Sequence, residues 1–522
     1  MTFLRVVASV LLVYGIACVG PVPARRSADL LISEARLLTR PGEILPRSTV
    51  VVTDGIIQEV VAGQFDLEAT TVIDGENYTV LPGLIDTHVH LLTQAPIVDG
   101  DAAMAQYLNE VLPGVLDEYL AAGFTSVMSN GDFWPFIVEV KARIDRGTVR
   151  GPRLFVLGPM FTAPGAHPAT TICAENPWCR AHLAVEVDDE GEARAMVDVI
   201  AQAGADGIKI VFDTSRENSR FDTSFGRSVF DRANAHDLPV MAHVHTNDDI
   251  NDALGLGVTG FVHTPSEQIS AELLERMVAT DTSFVTTLSS SQLVGGQPLE
   301  VLMEPKRQNL AALLGAGFLV AFGTNNTGNE SVSSALLTEM QVLQDAGMTS
   351  SQVLTALTAG AAEHLGRLNE LGTIEVGKRA DLLIVDGDPM TDLTALTNVV
   401  AVVKDMTGED GVDVGIEFSG SEIGFAAVFE SLCKGGDMRL VGAPPGPIPV
   451  DFTWWLLKCP RLFNIHGRRI WDTWQRSTEL IYSGSVDLKP IQSHLIPLSE
   501  ATQGFELIRR GEAVKPILIP EG

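Results

Sequence analysis

Eight short apolar runs, alternating with stretches of helical spacing, constrain the fold of this chain more than any other feature. They are Leu84–His90, Thr125–Ser129, Arg153–Leu157, Gly207–Phe212, Val240–His245, Gly260–His263, Ser283–Leu288 and Phe318–Phe322. Runs this short, without strict polar alternation and separated by helices, read as strands of a parallel sheet covered on both faces. Eight is the number that closes such a sheet on itself, and a closed sheet gathers its functional groups at the C-terminal ends of its strands.

The expected class is therefore α/β, with a (β/α)8 TIM-like barrel over residues 81–369. Strand-rich stretches flank it. Ala28 to Leu38, Ser48 to Thr53, Ile56 to Val61 and Thr71 to Ile73 cluster β-branched residues, and Asp54-Gly55 predicts a tight hairpin turn. A similar stretch returns at Gly372 to Val403, with Ala380 to Val385 at its centre. The two flanks, 25–80 and 370–403, are expected to build one small β-sandwich domain.

The net charge of −30 excludes nucleic acid as a partner, because no run of Lys and Arg is there to neutralise phosphates. It reads instead as a solvated acidic surface. At the N-terminus, Arg5 precedes an apolar stretch from Val6 to Ala17, too short to span a bilayer, and Val22-Pro23-Ala24 offers small residues before Arg25. Residues 1–24 are read as a signal peptide, which predicts a periplasmic or secreted protein with no stable membrane span. The rival, lipoprotein processing at Cys18, has the poorly suited Gly15 three positions earlier. Five cysteines are present. Cys173 and Cys179 flank a short loop and are open to two readings, a disulfide in an oxidising compartment or two free thiols. Their spacing matches no zinc pattern.

The strongest chemical signal is Pro82-Gly83-Leu84-Ile85-Asp86-Thr87-His88-Val89-His90. Residues i and i+2 of a strand point to one side, so His88 and His90 can hold one metal ion. Lys209 lies in the apolar run Gly207-Ile208-Lys209-Ile210-Val211, where an ammonium needs a carboxylate partner or a chemical change. His243 ends the next strand, with His245 two residues on, and His263 ends the one after. Such residues at successive strand ends are hard to explain as packing.

On these residues, the stretch from about 28 to 403 resembles the amidohydrolase superfamily, in the branch of imidazolonepropionase-like and Xaa-Pro dipeptidase-like enzymes. The resemblance implies two divalent metal ions, zinc by expectation. It places His88 and His90 on the more buried ion, a carboxylated Lys209 between the two, and His243 and His263 on the second. His243 is preferred over His245 because its 20-residue step to His263 fits the family. His167, in Ala163-Pro164-Gly165-Ala166-His167, matches a loop that faces substrate in related enzymes and reads equally as an exposed loop histidine. The resemblance further implies a small-molecule amide substrate, an N-acyl amino acid or dipeptide, some similar sequences acting on ochratoxin, and assembly into homo-oligomers.

One position departs from the pattern. The eighth strand of the family ends in an aspartate that binds metal and shuttles a proton, whereas here Val320-Ala321-Phe322-Gly323-Thr324-Asn325 ends in Asn325. An amide cannot accept that proton near neutral pH. The expectation is a site that assembles but turns over poorly, either by a deliberate substitution, favoured by the isolation of the change, or by natural weakening. A catalytically silent metal-binding protein is the corresponding alternative.

From Lys404 the text changes. Gly411 to Gly420, Cys433 to Gly442, Asn464 to Arg469 and Phe505 to Gly511 resemble the C-terminal third of a medium-chain zinc dehydrogenase, close to threonine 3-dehydrogenase. Residues 404–522 are thus expected to hold a partial Rossmann-like α/β fragment, joined as a fusion. No Gly-rich turn with an acidic residue about 20 positions on precedes it, which counts against an NAD-dependent oxidoreductase.

Overall fold

The computed structural model describes residues 27–404, apart from 66, 94–98, 215–220, 281, 290–298 and 329. Beyond 404 it describes short stretches, chiefly 412–417, 432–440, 446–450, 459–464, 494–497 and 516–519. The expected signal peptide and the Phe505–Gly511 stretch lie outside the described residues. Met1–Val412 and Asp413–Gly522 form two compact units. Among the described residues no helix is long and apolar enough to cross a membrane.

The N-terminal flank supplies β1 (Ser27–Arg40), β2 (Glu43–Thr53), β3 (Ile56–Ala62), β4 (Glu68–Asp74) and β5 (Thr79–Pro82). Strands β1 and β2 run antiparallel, while β4 and β5 lie parallel to β1. The predicted turn joins β2 to β3, with Asp54 at φ 53° and Gly55 at φ 68°. Two positive φ values match the right-handed twist of a two-residue hairpin, which is why Asp-Gly serves there.

The strands expected for the barrel are β6 (Leu84–Val89), β7 (Phe124–Ser129), β8 (Arg153–Val156), β11 (Ile208–Val211), β12 (Val240–His243), β13 (Gly260–Val262), β14 (Ser283–Val285) and β15 (Leu319–Ala321), with β9 (Met160–Thr162) and β10 (Ala184–Glu186) inserted between β8 and β11. Most stop one to three residues short of the sequence expectation, so that several histidines sit just past a strand rather than in it. All successive pairs are parallel. The third position is one strand broken at Gly158: β8 pairs with β7, and β9 pairs with β11. Asp206 N donates to Val156 O at 2.7 Å, joining the third position to the fourth. The eighth returns to the first, since Thr87 N donates to Phe322 O at 2.9 Å and Val89 bridges Asn326. The eight strand positions therefore follow one another round a closed ring.

Alternation divides the wall into two cores. Ile85, Met128, Leu157, Met241, Val262, Val285 and Ala321 pack on one another inside the ring. Outward-facing Phe161, Ile208, Ile210, Ala242, Phe261 and Phe284 pack against the helices. At roughly 1.5–3 kcal/mol for each large side chain removed from water, these layers hold the scaffold on which the strand ends are displayed.

After the ring, β16 (Leu382–Val385) pairs antiparallel with β5 and with β17 (Val399–Val403). One seven-stranded sheet, ordered β17-β16-β5-β1-β2-β3 with β4 beside β1, thus joins both flanks. Register shifts interrupt β1, and Ile32, Leu37, Val50, Ile57, Leu382 and Ile384 share its core.

In the second unit, β18 (Val412–Glu417), β19 (Leu432–Leu440) and β20 (Arg461–Asn464) form one sheet, with β19 and β20 parallel. Strands β21 (His494–Pro497) and β22 (Pro516–Ile519) form a parallel pair.

Candidate active site

His88, His90, His167, Lys209, His243, His263 and Asn325, each singled out from the sequence, line one cavity past the C-terminal ends of the strands. Asn130, Met160, Ile172 and Thr327 complete its lining. All seven of the first group are buried.

A register shift between Asp86 and Val89 resets the alternation of β6, so that His88 and His90 turn inward above Ile85. Their Nε2 atoms stand 3.3 Å apart. His90 Nδ1 lies 2.6 Å from the Gly131 carbonyl, which can only accept, so this nitrogen carries the hydrogen and Nε2 of the neutral ring presents a lone pair. Burial pushes His88 well below the usual histidine range, and the nearby Lys209 charge pushes it further. Burial likewise depresses His243 and His263, with neighbouring histidines adding to the effect. It depresses His90 too, against an opposing pull from Asp132. Neutral imidazoles are the form that binds metal.

Lys209 projects from β11 into this cluster. Its Nζ donates to Asn130 Oδ1 at 3.3 Å, and among the described residues no carboxylate forms an ion pair with it. Burial alone pushes its amine well below the usual lysine range. Burial among imidazoles thus favours the neutral, nucleophilic form of this amine over the ammonium.

His263 reaches the cavity by a backbone device. Phe261 faces the outer core and Val262 the inner one, so plain alternation would send residue 263 outward. A φ of 74° turns it in, and its Nδ1 lies 2.9 Å from Thr287 Oγ1. Its ring centroid is 4.6 Å from that of His88 and 4.4 Å from that of His243. His167 lies 5.0 Å from His243, centroid to centroid, with Nδ1 2.5 Å from Thr171 Oγ1. It is a buried wall of the cavity, not an exposed loop residue. The loop that follows is tied by a disulfide between Cys173 and Cys179, which resolves the two readings of these cysteines.

Asn325 also adopts a left-handed backbone, φ 55°, and its N–H donates to His88 O at 2.8 Å. Its side chain hydrogen-bonds the His90 ring. Glu330, the nearest downstream acid, is exposed and accepts from Ser334.

Sequence reasoning missed a set of buried carboxylates that fix the loops carrying these ligands. Asp132 accepts from the backbone N–H groups of Leu91, Leu92 and Thr93, just past His90. Asp86 accepts from His88 N and from Thr324 N and Oγ1, tying the first strand end to the eighth. Glu339 holds Leu288 N and Ser289 N. Asp249, in the helix Asn247–Leu256, accepts from Thr214 N, His245 N and Thr246 N. Thr246 and Asp249 do carry a capping-box spacing. The contacts of Asp132, Glu339 and Asp249 to residues 91–93, residues 288–289 and Thr214, however, join segments distant in sequence, which no spacing rule marks. Asp213 was also missed, although it shares strand parity with Lys209; its carboxylate and the rings of His243 and His245 bring ligand atoms within 4.8 Å of one another.

The donor set suits divalent metal. Tetrahedral zinc with bonds of 2.0–2.1 Å spaces its ligand atoms about 3.3 Å apart, the separation found between the His88 and His90 Nε2 atoms. Among the described residues, His243 Nε2 is buried without a hydrogen-bond partner. A pure packing role would leave that desolvated nitrogen at a cost of about 1–3 kcal/mol.

A closed α/β ring with histidines and a buried lysine converging on a metal-ligand spacing defines a metal-dependent hydrolase. The chain belongs to the amidohydrolase family, whose model matches residues 79–414. A zinc-binding dehydrogenase model matches residues 377–483. The structure is similar to an Xaa-Pro dipeptidase with methionine bound in its active site, at 25% identity and TM-score 0.62 over 72% of this chain and 98% of that one. It shares the fold of the A. niger ochratoxinase, at 22% identity and TM-score 0.62 over 73% of this chain and 95% of that one. The curated relatives matched are dehydrogenases. The L-threonine 3-dehydrogenase of Anaeromyxobacter dehalogenans (strain 2CP-C) is 29% identical over 175 residues, which cover 34% of this chain and 50% of the relative. That of Proteus mirabilis (strain HI4320) is 31% identical over 162 residues, covering 31% and 47%. The chain thus spans about half the length of the curated relatives it matches.

Proposed function

We propose that the chain hydrolyses the amide bond of a small N-acyl amino acid or dipeptide at a two-zinc site, slowly, because position 325 lacks its base. The observation that carries this reading is the convergence of His88, His90, Lys209, His243 and His263 on one cavity. His88 and His90 would hold the first ion, His243 and His263 the second, with Lys209 between them. When bound, the ions supply Lewis acidity toward a carbonyl and make water acidic enough to act near neutral pH.

The protein's own groups do the rest. A buried Lys209 amine that has shed its proton can add to carbon dioxide; the new N–C bond releases a second proton and leaves an anionic carbamate. The step would replace an ammonium in the apolar strand by an anion, whose charge the two metal ions would balance. His167, on the wall beside His243, is placed to donate a hydrogen bond to substrate. Asn325 can orient but cannot take the water proton and pass it to the leaving amine. The dipeptidase likeness supports the substrate class, and the ochratoxinase likeness supports testing an aryl amide. The Cys173–Cys179 bridge supports an oxidising, periplasmic or secreted location. We assign the second unit no hydride transfer, and homo-oligomer formation is part of the proposal.

The test pairs this chain with Asn325→Asp, both zinc-loaded with bicarbonate, on N-acyl amino acids, Xaa-Pro dipeptides and ochratoxin. Aspartate is expected to raise kcat about 10²–10⁴-fold on the cognate class. Equal, background-level rates for both proteins across the panel would defeat the hydrolytic reading and favour a silent metal binder.

A further inference from the structure

The geometry points to Asp213 and His245 as ligands of the second metal ion, so that a carboxylate from the fourth strand position supplies the negative charge that Asn325 cannot. This rests on the two-metal reading of the preceding section and extends its ligand set.

The ring carries two His-x-His pairs, on opposite walls. His88 lies near the end of β6 with His90 just past it, and His243 ends β12 with His245 just past it. Within the second pair the ring centroids are 4.6 Å apart, and His245 stacks at 5.6 Å from His263, their planes only 14° apart. Asp213 closes the group: one of its carboxylate oxygens and one nitrogen from each of the His243 and His245 rings lie within 4.8 Å of one another. Tetrahedral zinc spaces its ligand atoms about 3.3–3.6 Å apart, so side-chain rotations that draw these three groups together by at most roughly 1.5 Å would close the shell. Asp213, His243 and His245 are all buried, and His243 Nε2 has no hydrogen-bond partner.

Strand geometry explains how these side chains meet. Lys209 and Asp213 share parity on one strand path, and His243 and His245 share it on the next; Val211 pairs with His243. Lys209 therefore lies one layer below His243, and Asp213 and His245 one layer nearer the mouth than His243. Asp249 fixes both backbones at once, accepting from Thr214 N at 2.9 Å and His245 N at 2.8 Å. Its own helix is anchored by a capping box through Thr246. Ligands locked in this way from behind are the mark of a preorganised metal shell. Two imidazoles and a carboxylate, with His263 adjacent, suit zinc or a similar borderline divalent ion. The charge also balances, since otherwise the second ion would meet only neutral side chains apart from the modified lysine.

The experiment measures bound zinc in the full chain after chelator treatment, reloading with zinc and bicarbonate, and gel filtration. We expect two ions per chain, with Asp213→Asn and His245→Asn each retaining one, and His88→Asn losing the other. Asp213→Cys loaded with cobalt(II) gives a positive signal, because a thiolate on the metal adds a near-ultraviolet charge-transfer band. Folding of each variant is checked by circular dichroism. Two retained ions in folded Asp213→Asn and His245→Asn, with no band in folded Asp213→Cys, overturn this inference and leave the two-metal reading standing. An unmodified chain that binds no zinc overturns both.

Discussion

The mouth of the ring and its floor are built from the same strands and have opposite chemistry. On β12, Met241 packs in the inner core and His243, two residues on, turns into the metal cavity. On β11, Lys209 is fully buried beside neighbours that face the outer core. The floor holds one buried polar pair, Ser283 Oγ and His364 Nδ1 at 2.6 Å, among apolar side chains. The mouth collects histidines, a lysine and carboxylates, most of them desolvated. The floor is arranged for stability, whereas the mouth carries groups that cost stability until a ligand meets them.

That contrast can be broken by substitution. Leu157→Ala, deep in the inner core, is expected to cost about 2–5 kcal/mol while bound zinc per folded molecule stays as it was. Chemical denaturation and metal analysis together check this, and a loss of zinc would show that floor and mouth are not separable. A pH effect follows at the floor. Burial depresses His364 to about 4, with Lys209 adding to the effect. A depressed histidine contributes stability that is present above its unfolded value of 6.5 and lost as pH falls through about 4, at most about 3 kcal/mol. His364→Gln should flatten the stability profile across that window, whereas an unchanged acid slope would place the titrating group elsewhere. The smallest effect has the opposite sign. Lys209→Met removes a buried amine without a carboxylate partner, so the metal-free and bicarbonate-free protein should gain on the order of 1–3 kcal/mol. A drop in melting temperature would mean that the lysine is structurally satisfied.

Much of this was legible in the sequence because strand chemistry is periodic. Eight apolar runs, the Asp54-Gly55 turn and the His88/His90 pair all follow from period-two alternation and turn preferences, and each lies where it was expected. The failures come where the backbone leaves that period. The register shift in β6 and the left-handed turn at His263 decide which way a histidine points, and neither has a spacing signature. Asp132 and Glu339 were silent because they hold backbone groups distant in sequence, whereas Asp249 shares a readable capping-box spacing with Thr246. Of the rivals His243 and His245, His243 is the one that lines the cavity. Asp213, four residues past Lys209, could have been found by the same parity. The flanking sheet was recognised by its β-branched clusters, while its layering depended on how β1 crosses to both β4 and β5.

The left-handed backbone at 263 and 325 bears on how the protein can change over generations. Apart from glycine, that conformation is held with least strain by asparagine, aspartate and histidine, and the residues at 263 and 325 are histidine and asparagine. Other replacements there would carry a backbone cost of roughly 1–2 kcal/mol. Aspartate and asparagine codons differ by one base, and both side chains tolerate the same backbone. Under the proposed function, exchange between the two at position 325 would therefore be a single step that leaves the barrel as it is.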